Sequence, residues 1–352
     1  MSPSTLQSSY LKYIENPDPD DIGSSIESFL KWLGQATAIW VTGKNANKTR
    51  AVCTLLHGNE PSGTKAIFNY LKYREIPKFN TLFIIASVEA AATVPIFSNR
   101  MLPGKRDLNR CFIPPYNDQQ GQTAKAIWDL IMHIKPECLI DIHNTSGSGP
   151  AFGVAITEDK HHVALISLFT NDLIVTDLRL GALMELSEKD VITVTVECGG
   201  AQDPASEIIA QEGLHRYLSS EYVLAEEDSE YPVNIYHNPI RLETKDQGEV
   251  AYDEHPCDKA VITLPEQAEK FNYGMLTKDE SIGHLNHNGF LQLTAKDHLG
   301  NEHLTEFFEE RQGKLYARHP LKIFMMTTIP LIAKTDCLFY FISNPHSTSS
   351  KR

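Results

Sequence analysis

Three apolar runs in this chain each end on a side chain able to bind a metal or move a proton. Ala51-Val52-Cys53-Thr54-Leu55-Leu56 leads to His57, Leu139-Ile140-Asp141-Ile142 to His143, and Ile192-Thr193-Val194-Thr195-Val196 to Glu197. Runs this apolar suit strands covered on both faces. Ala36 to Val41, Thr81 to Val88 and Phe152 to Ile156 read as further strands. Helical patterns stand between them: Ser62 to Arg74, Gln122 to Ile134 and Pro204 to Leu224. Strands alternating with helices specify an α/β sandwich around a mostly parallel or mixed sheet. Ligands of such sheets bind outside the carboxyl ends of the strands, so the three polar ends are expected to converge there.

The chain has 352 residues, enough for one large domain or for two of ordinary size. Residues 1–34 read as a helical leader, with Ile26, Phe29, Leu30 and Leu33 at helical spacing before Gly34. Residues 35–231 carry the α/β pattern. From 232 to 345 the runs shorten and alternate, as in Ala260-Val261-Ile262-Thr263-Leu264 and Cys337-Leu338-Phe339-Tyr340-Phe341, with turn formers between them. That region reads as a smaller β-rich C-terminal domain. The polar tail from Asn344 to Arg352 reads as frayed.

A net charge of −13 argues against a nucleic-acid binder, because no excess of Lys and Arg exists to neutralise phosphates. An anionic small molecule is still compatible, since local Arg placement decides that. No apolar run is long enough to span a membrane, and the N-terminus lacks the pattern of a secretory signal. The six cysteines are scattered without a Cys-x-x-Cys pair, which suits reduced thiols in a cytoplasmic protein. A homo-oligomer fits this composition as well as a monomer does.

His57-Gly58-Asn59-Glu60 offers an imidazole and a carboxylate from one turn, two ligands that zinc accepts. A catalytic zinc needs one more protein ligand, and His143 is the candidate. Asp141 lies two residues earlier on the same strand, facing the same way, placed to take the second ring N–H of a metal-bound imidazole. Glu197, at the tip of a buried strand and followed by Gly199-Gly200, is the expected general base. The loop Arg106-Asp107-Leu108-Asn109-Arg110 supplies Asn and Arg for a carboxylate, and an Arg near the metal could stabilise an oxyanion. Arg100, Arg106 and Arg110 compete for these tasks.

Taken in order, His57-x-x-Glu60, Asp107-Leu108-Asn109-Arg110, Asp141-x-His143 and Val196-Glu197 resemble the succinylglutamate desuccinylase/aspartoacylase family of the zinc carboxypeptidase superfamily. The matched blocks run from about Arg50 to Gln202. The resemblance implies a zinc-carboxypeptidase-like α/β/α sandwich with a mixed sheet, one Zn2+ per chain on His57, Glu60 and His143, and Glu197 as general acid/base. It implies Asn109 and Arg110 as the carboxylate clamp, with Arg106 and Asn144 also among the substrate contacts. It further implies an Arg that polarises the amide carbonyl, Arg100 in the first place and Arg106 as the alternative. Aspartoacylases carry a further substrate Arg about ten residues before the catalytic Glu, where this chain has Ser187, the nearest Arg being Arg179. The tyrosine that the family draws from its C-terminal part has Tyr273 and Tyr316 as candidates.

The expected activity is zinc-dependent hydrolysis of the amide bond of a small anionic N-acyl amino acid. A zinc carboxypeptidase acting on short or cell-wall-derived peptides is the alternative.

Overall fold

The structure is a computed structural model that describes residues 8–73, 75–189, 191–226, 229–335 and 337–343. The tail read as frayed, from Asn344 on, lies outside the described residues. The chain divides into two compact units. The first is Met1–Asn144 with Ala151–Leu173 and Arg179–Val233, and the second is Thr145–Pro150 with Ile174–Leu178 and Asn234–Arg352. Nothing in the composition marks the two short segments that join the C-terminal unit.

The main sheet includes strands β1 (Lys12–Glu15), β2 (Thr37–Val41), β3 (Asn45–Thr54), β4 (Phe79–Ile85), β5 (Leu139–Thr145), β6 (Phe152–Ala155), β7 (Asp172–Val175) and β8 (Thr193–Gly200). They lie side by side as β1-β2-β4-β3-β5-β8-β6-β7. The sheet is mixed: β3 runs parallel to β4 and β5, while β2 is antiparallel to β4 and β6 to β8. Its helices are α1 (Ile26–Leu33), α2 (Ser62–Lys72), α3 (Val88–Ala91), α4 (Gln119–Ile134), α5 (Lys160–Ser167) and α6 (Pro204–Ser219).

Both faces of the sheet are covered, which explains the unbroken apolar runs. Alternate residues Ala38, Trp40, Ala51, Cys53, Leu82, Ile84 and Leu139 share a buried cluster with Ala124, Ile127, Leu130 and Ile131 of α4. The opposite phase meets α2, where Tyr70 packs its ring 5.9 Å from that of Phe83. Before α1 the chain forms β1, which pairs in parallel with β2, so residues 8–34 hold a strand as well as a helix. The short Lys-Tyr-Ile-Glu segment is too brief for its period to announce itself. Ser25 and Ser28 cap α1 reciprocally.

Strand ends depart from the sequence pattern in a way that matters. Thr54 ends β3, and Leu55 and Leu56 carry the chain on to His57. β5 and β8 instead continue past the apolar residues, so His143 and Glu197 lie within strands. Ladder pairing holds Glu197 there, opposite Phe152 of β6.

Arg50, at 1% exposure, heads the large fully buried side chains. Its guanidinium donates to the carbonyls of Tyr217 (2.5 Å), Ser220 (2.9 Å) and Glu221 (3.1 Å) at the end of α6, and to Glu137 Oε1 at 2.7 Å. It thus supplies the donors that the last turn of a helix lacks. Replacing Arg50 with Met leaves those carbonyls without their donor and takes from Glu137 one of its two cations, the other being Lys48 at 3.1 Å. The expected loss is about 3–5 kcal/mol of stability, measured by urea unfolding.

The second unit is all but devoid of helix. One five-stranded sheet runs Met275–Leu276, Leu321–Phe324, Phe339–Ile342, Ile240–Thr244, Leu293–Lys296. The other runs Val250–Tyr252, Ile262–Leu264, Ser281–Leu285, Lys314–Ala317, Phe308–Arg311. A core including Leu242, Ile262, Leu293, Phe308, Phe339 and Phe341 holds this unit together. Among the described residues no helix is long and apolar enough to cross a membrane.

Candidate active site

The turn after β3 carries strain where the first site residues emerge. Leu55 adopts φ 61°, a left-handed backbone disfavoured by about 1–2 kcal/mol for a residue with a Cβ. Ser87 holds it, donating its N–H to the Leu55 carbonyl (2.7 Å) and its hydroxyl to the Leu56 carbonyl (2.9 Å). Gly58 comes next, and its N–H donates to the Arg100 carbonyl at 2.7 Å. A Cβ on Gly58 would stand 2.6 Å from the Asn99 carbonyl oxygen and 2.7 Å from Ala90 Cβ. Only glycine lets the Asn99-Arg100 backbone come that close, and the close approach delivers Arg100 to His57.

His57, Glu60 and His143 converge. Their ligand atoms lie within 4.8 Å of one another, and all three residues are buried. Among the described residues this is the one cluster of three His, Cys, Asp or Glu side chains able to hold a metal ion. Glu60 is central: Oε1 is 2.8 Å from His57 Nδ1, and Oε2 is 2.7 Å from His143 Nδ1. The imidazoles therefore turn Nδ1 toward one point and Nε2 away from it. His143 Nε2 lies 2.8 Å from Asp141 Oδ2, as the Asp-x-His spacing suggests, and Asp141 is fully buried.

His57 Nε2 has the equivalent partner in Asp107, whose Oδ1 is 3.0 Å away. Arg100 NH2 also stands 2.8 Å from that nitrogen and 3.1 Å from Asp107 Oδ2. One ring nitrogen cannot serve a donor and an acceptor at once. When His57 Nδ1 faces a cation, Nε2 carries the proton and gives it to Asp107, and Arg100 bonds to the other oxygen of that carboxylate. The donor set fits a zinc ion well: two imidazole nitrogens, one carboxylate, and a carboxylate behind each ring. Sequence reasoning left Asp107 unassigned. The signal was its place at the head of Asp-Leu-Asn-Arg, where it also caps the turn by accepting the Asn109 N–H at 2.9 Å.

The cluster's charges follow from this geometry. Burial disfavours a charged His57, but the carboxylates of Glu60 and Asp107 outweigh it and raise the imidazole pKa. His143 is driven well above the usual value against the same burial by Asp141 and Glu60. Asp107 is held far below the carboxylate range despite its burial, by His57, Arg100 and Arg110. Without a metal both imidazoles therefore favour their protons, which a metal must displace. Zinc binding near neutral pH is expected to release about one to two protons per chain and to weaken as pH falls. Titration calorimetry in buffers of different ionisation enthalpy measures this, and zero release would contradict it.

Glu197 is different. Its Oε2 is buried and meets no hydrogen-bond partner among the described residues. Desolvation pushes its pKa up to about 7, with help from Glu60 and against His143, His57 and Arg100. The carboxyl is thus poised to change protonation near neutrality, and it lies within electrostatic reach of both imidazoles and Arg100.

The arginines separate. Arg100 stands at His57, Asp107 and Glu60 (3.5 Å to Glu60 Oε1). Arg106 is clamped elsewhere, with Nε and NH2 on Asp118 at 2.6 and 2.7 Å and NH2 on the Pro115 carbonyl. Asp118 caps α4 through the Gly121 N–H, and Arg106 with that amide draws its pKa down to about 2. Arg106 is thereby engaged in fastening α4 rather than in the cluster. Asn109 is buried with Oδ1 accepting the Leu183 N–H (3.0 Å), which commits its oxygen and leaves its Nδ2 as donor. Arg110 is exposed and donates to the Asn109 carbonyl at 2.8 Å.

Asn144 also departs from expectation, because its amide is committed within the protein. Oδ1 accepts the Ser62 N–H, and Nδ2 donates to Ser62 Oγ and to the Gly199 carbonyl. Ser187 exchanges hydrogen bonds with Thr193 N–H and carbonyl (2.9 and 3.0 Å) and lies 3.0 Å from His162 Nε2. It fastens the start of β8. Arg179 pairs with Glu188 at 2.6 Å. Tyr273 and Tyr316 belong to the second unit, Tyr273 edge-on to Phe324 and Tyr316 beneath the Arg311 guanidinium.

Solved structures share this architecture over most of the chain. The succinylglutamate desuccinylase/aspartoacylase from Rhodobacter sphaeroides matches at TM-score 0.56 and 12% identity, covering 87% of each chain. The chain has the succinylglutamate desuccinylase/aspartoacylase fold. Succinylglutamate desuccinylase from Vibrio parahaemolyticus matches at TM-score 0.55 and 15% identity, covering 86% of this chain and 85% of its own. The product-bound ectoine utilization protein EutE (DoeB) from Ruegeria pomeroyi matches at TM-score 0.57 and 16% identity, covering 86% of both chains. No family model matches the sequence, and no curated protein does. At these identities the likeness concerns the fold, and the chemistry must come from the side chains.

Proposed function

We propose that this protein is a zinc-dependent amidohydrolase that removes the acyl group from a small anionic N-acyl amino acid. The observation that carries the reading is Glu197. A buried carboxylate oxygen without a hydrogen-bond partner among the described residues, pushed to a pKa of about 7 and set among His57, Glu60, His143 and Arg100, is suited to proton transfer. Solved structures of the same fold named as desuccinylases and aspartoacylases support the substrate class.

His57 Nδ1, Glu60 and His143 Nδ1 would hold one zinc ion, which when bound supplies a Lewis acid for the amide carbonyl and lowers the pKa of water. Asp107 and Asp141 keep the two imidazoles in the tautomer that directs Nδ1 inward. Glu197 takes a proton from the attacking water and returns it to the leaving nitrogen. Arg100 donates to the oxyanion that forms on the carbonyl oxygen. Asn109 Nδ2 and Arg110 hold the substrate carboxylate. Since the Ser187 hydroxyl is engaged by Thr193 and His162, this position offers no cation to an aspartate side chain. N-Acetylaspartate is accordingly expected to be a poor substrate. No disulfide joins the six cysteines, five of which are buried, and this supports a reducing, cytoplasmic setting.

The test is a hydrolysis screen of the zinc-loaded protein across acetyl-, succinyl- and formyl-amino acids, with short peptides alongside. Turnover of acyl-amino acids supports the reading. Turnover of peptides alone would transfer it to a carboxypeptidase.

A further inference from the structure

The Asn144 side chain joins three elements that carry site residues. Asn144 follows the ligand His143 on β5. Its Oδ1 accepts the N–H of Ser62, the first residue of α2, at 3.0 Å, and its Nδ2 donates to Ser62 Oγ at 2.9 Å. Ser62 stands two residues after Glu60, and α2 has no side-chain cap of its own at Pro61. The same Nδ2 donates to the Gly199 carbonyl at 3.0 Å. Gly199 stands two residues after Glu197 and adopts φ 102°, a left-handed backbone that favours glycine. The Asn144 backbone N–H also points to Glu60 Oε2 at 3.4 Å. Asn144 is 3% exposed, and its carboxamide spends both hydrogens and one acceptor site inside the protein.

Resting on the reading of the site given above, we propose that Asn144 is a positioning residue. It sets where the ligand Glu60 and the proton-transfer carboxylate Glu197 stand relative to His143, and it does not touch substrate. Its amide acts as two separable arms. The Oδ1 arm fixes the α2 end and with it Glu60. The Nδ2 arm fixes the Gly199 carbonyl and with it the strand that presents Glu197.

Two variants separate the arms. In Asn144→Asp with the carboxylate ionised, one oxygen still accepts the Ser62 N–H and the other can take the Ser62 hydroxyl, but no hydrogen remains for the Gly199 carbonyl. Zinc affinity should stay within about threefold of wild type, because a partner behind a ligand costs 10–100-fold only when lost. Turnover should fall about 100-fold with KM little changed, the scale of a misplacement of about 1 Å in a reacting group. Asn144→Ala removes both arms, so zinc affinity should fall about 10–100-fold in competition with a chromophoric chelator. Ser62→Ala removes one hydrogen bond and keeps both backbone anchors, so it should stay near wild type in both readouts.

A KM raised about tenfold with kcat unchanged in Asn144→Asp would make Asn144 a substrate contact and overturn the proposal. Wild-type zinc affinity in Asn144→Ala would overturn it too. If Asn144→Ala does not fold, Asn144→Asp decides by the split between kcat and KM. If the wild type binds zinc but hydrolyses no substrate, the amidohydrolase reading fails while the zinc affinity of Asn144→Ala still decides this one.

Discussion

Glu197→Gln is expected to lower kcat about 10²–10⁴-fold while one zinc per chain remains bound. Gln keeps the volume and one carbonyl oxygen but can neither take a proton from water nor return one to an amine. The His57, Glu60 and His143 groups do not include Glu197, so metal content should not follow the loss of rate. The pH profile should move with it. In the wild type the base must be ionised, so kcat/KM falls as pH drops through the Glu197 pKa. Burial sets that pKa at about 7 in the metal-free site, and the charge of a bound cation draws the limb lower. The residual activity of Glu197→Gln should lack this limb. Full activity in the variant would remove the central proton carrier from the account.

Glu60→Ala is expected to abolish metal binding at micromolar zinc and, with it, hydrolysis. Glu60 is the acceptor that both Nδ1 atoms face, at 2.8 and 2.7 Å. Its removal takes one of the three proposed ligands and also the main charge holding the two rings in register. Loss of a group behind a ligand already costs about 10–100-fold in affinity, and loss of the ligand itself exceeds that. The imidazole pKa values, raised in part by this carboxylate, should fall toward the ordinary range. Histidine NMR titration of the metal-free variant reads that shift directly. Arg106→Ala serves as the contrast. Arg106 works on Asp118 at the α4 cap, so its loss should affect stability more than zinc or turnover.

Much of this was legible because the informative groups sit on strands or just past their ends. Strand phase alone puts Asp141 and His143 on one face, and their 2.8 Å contact follows from it. His57 and Glu60 are close in sequence and share one turn, so their meeting needs no long-range knowledge. Other features depend on where distant backbone arrives. The resemblance ranks Arg100 before Arg106 but leaves both open, and the Asp118 cap and the Gly58 contact with the Arg100 carbonyl show where each one stands. Asp107 reads as part of a loop until that loop folds back on His57. Asn144 sits beside a ligand in the sequence, which suggests a substrate contact. Its partners are 82 and 55 residues away and turn its amide into a brace. The ends of β5 and β8 were misplaced because pairing with neighbouring strands carries polar residues that a single-strand pattern excludes.

The most direct test of the whole account is metal removal and restoration on one preparation. The purified protein is stripped with a chelator, assayed against the acyl-amino acid panel, and titrated back with zinc while bound metal is counted. Activity on at least one N-acyl amino acid should vanish with the metal and return in proportion to zinc, reaching its plateau at about one ion per chain. Undiminished hydrolysis by the stripped protein, or a plateau unrelated to occupancy of the His57, Glu60 and His143 site, would contradict it.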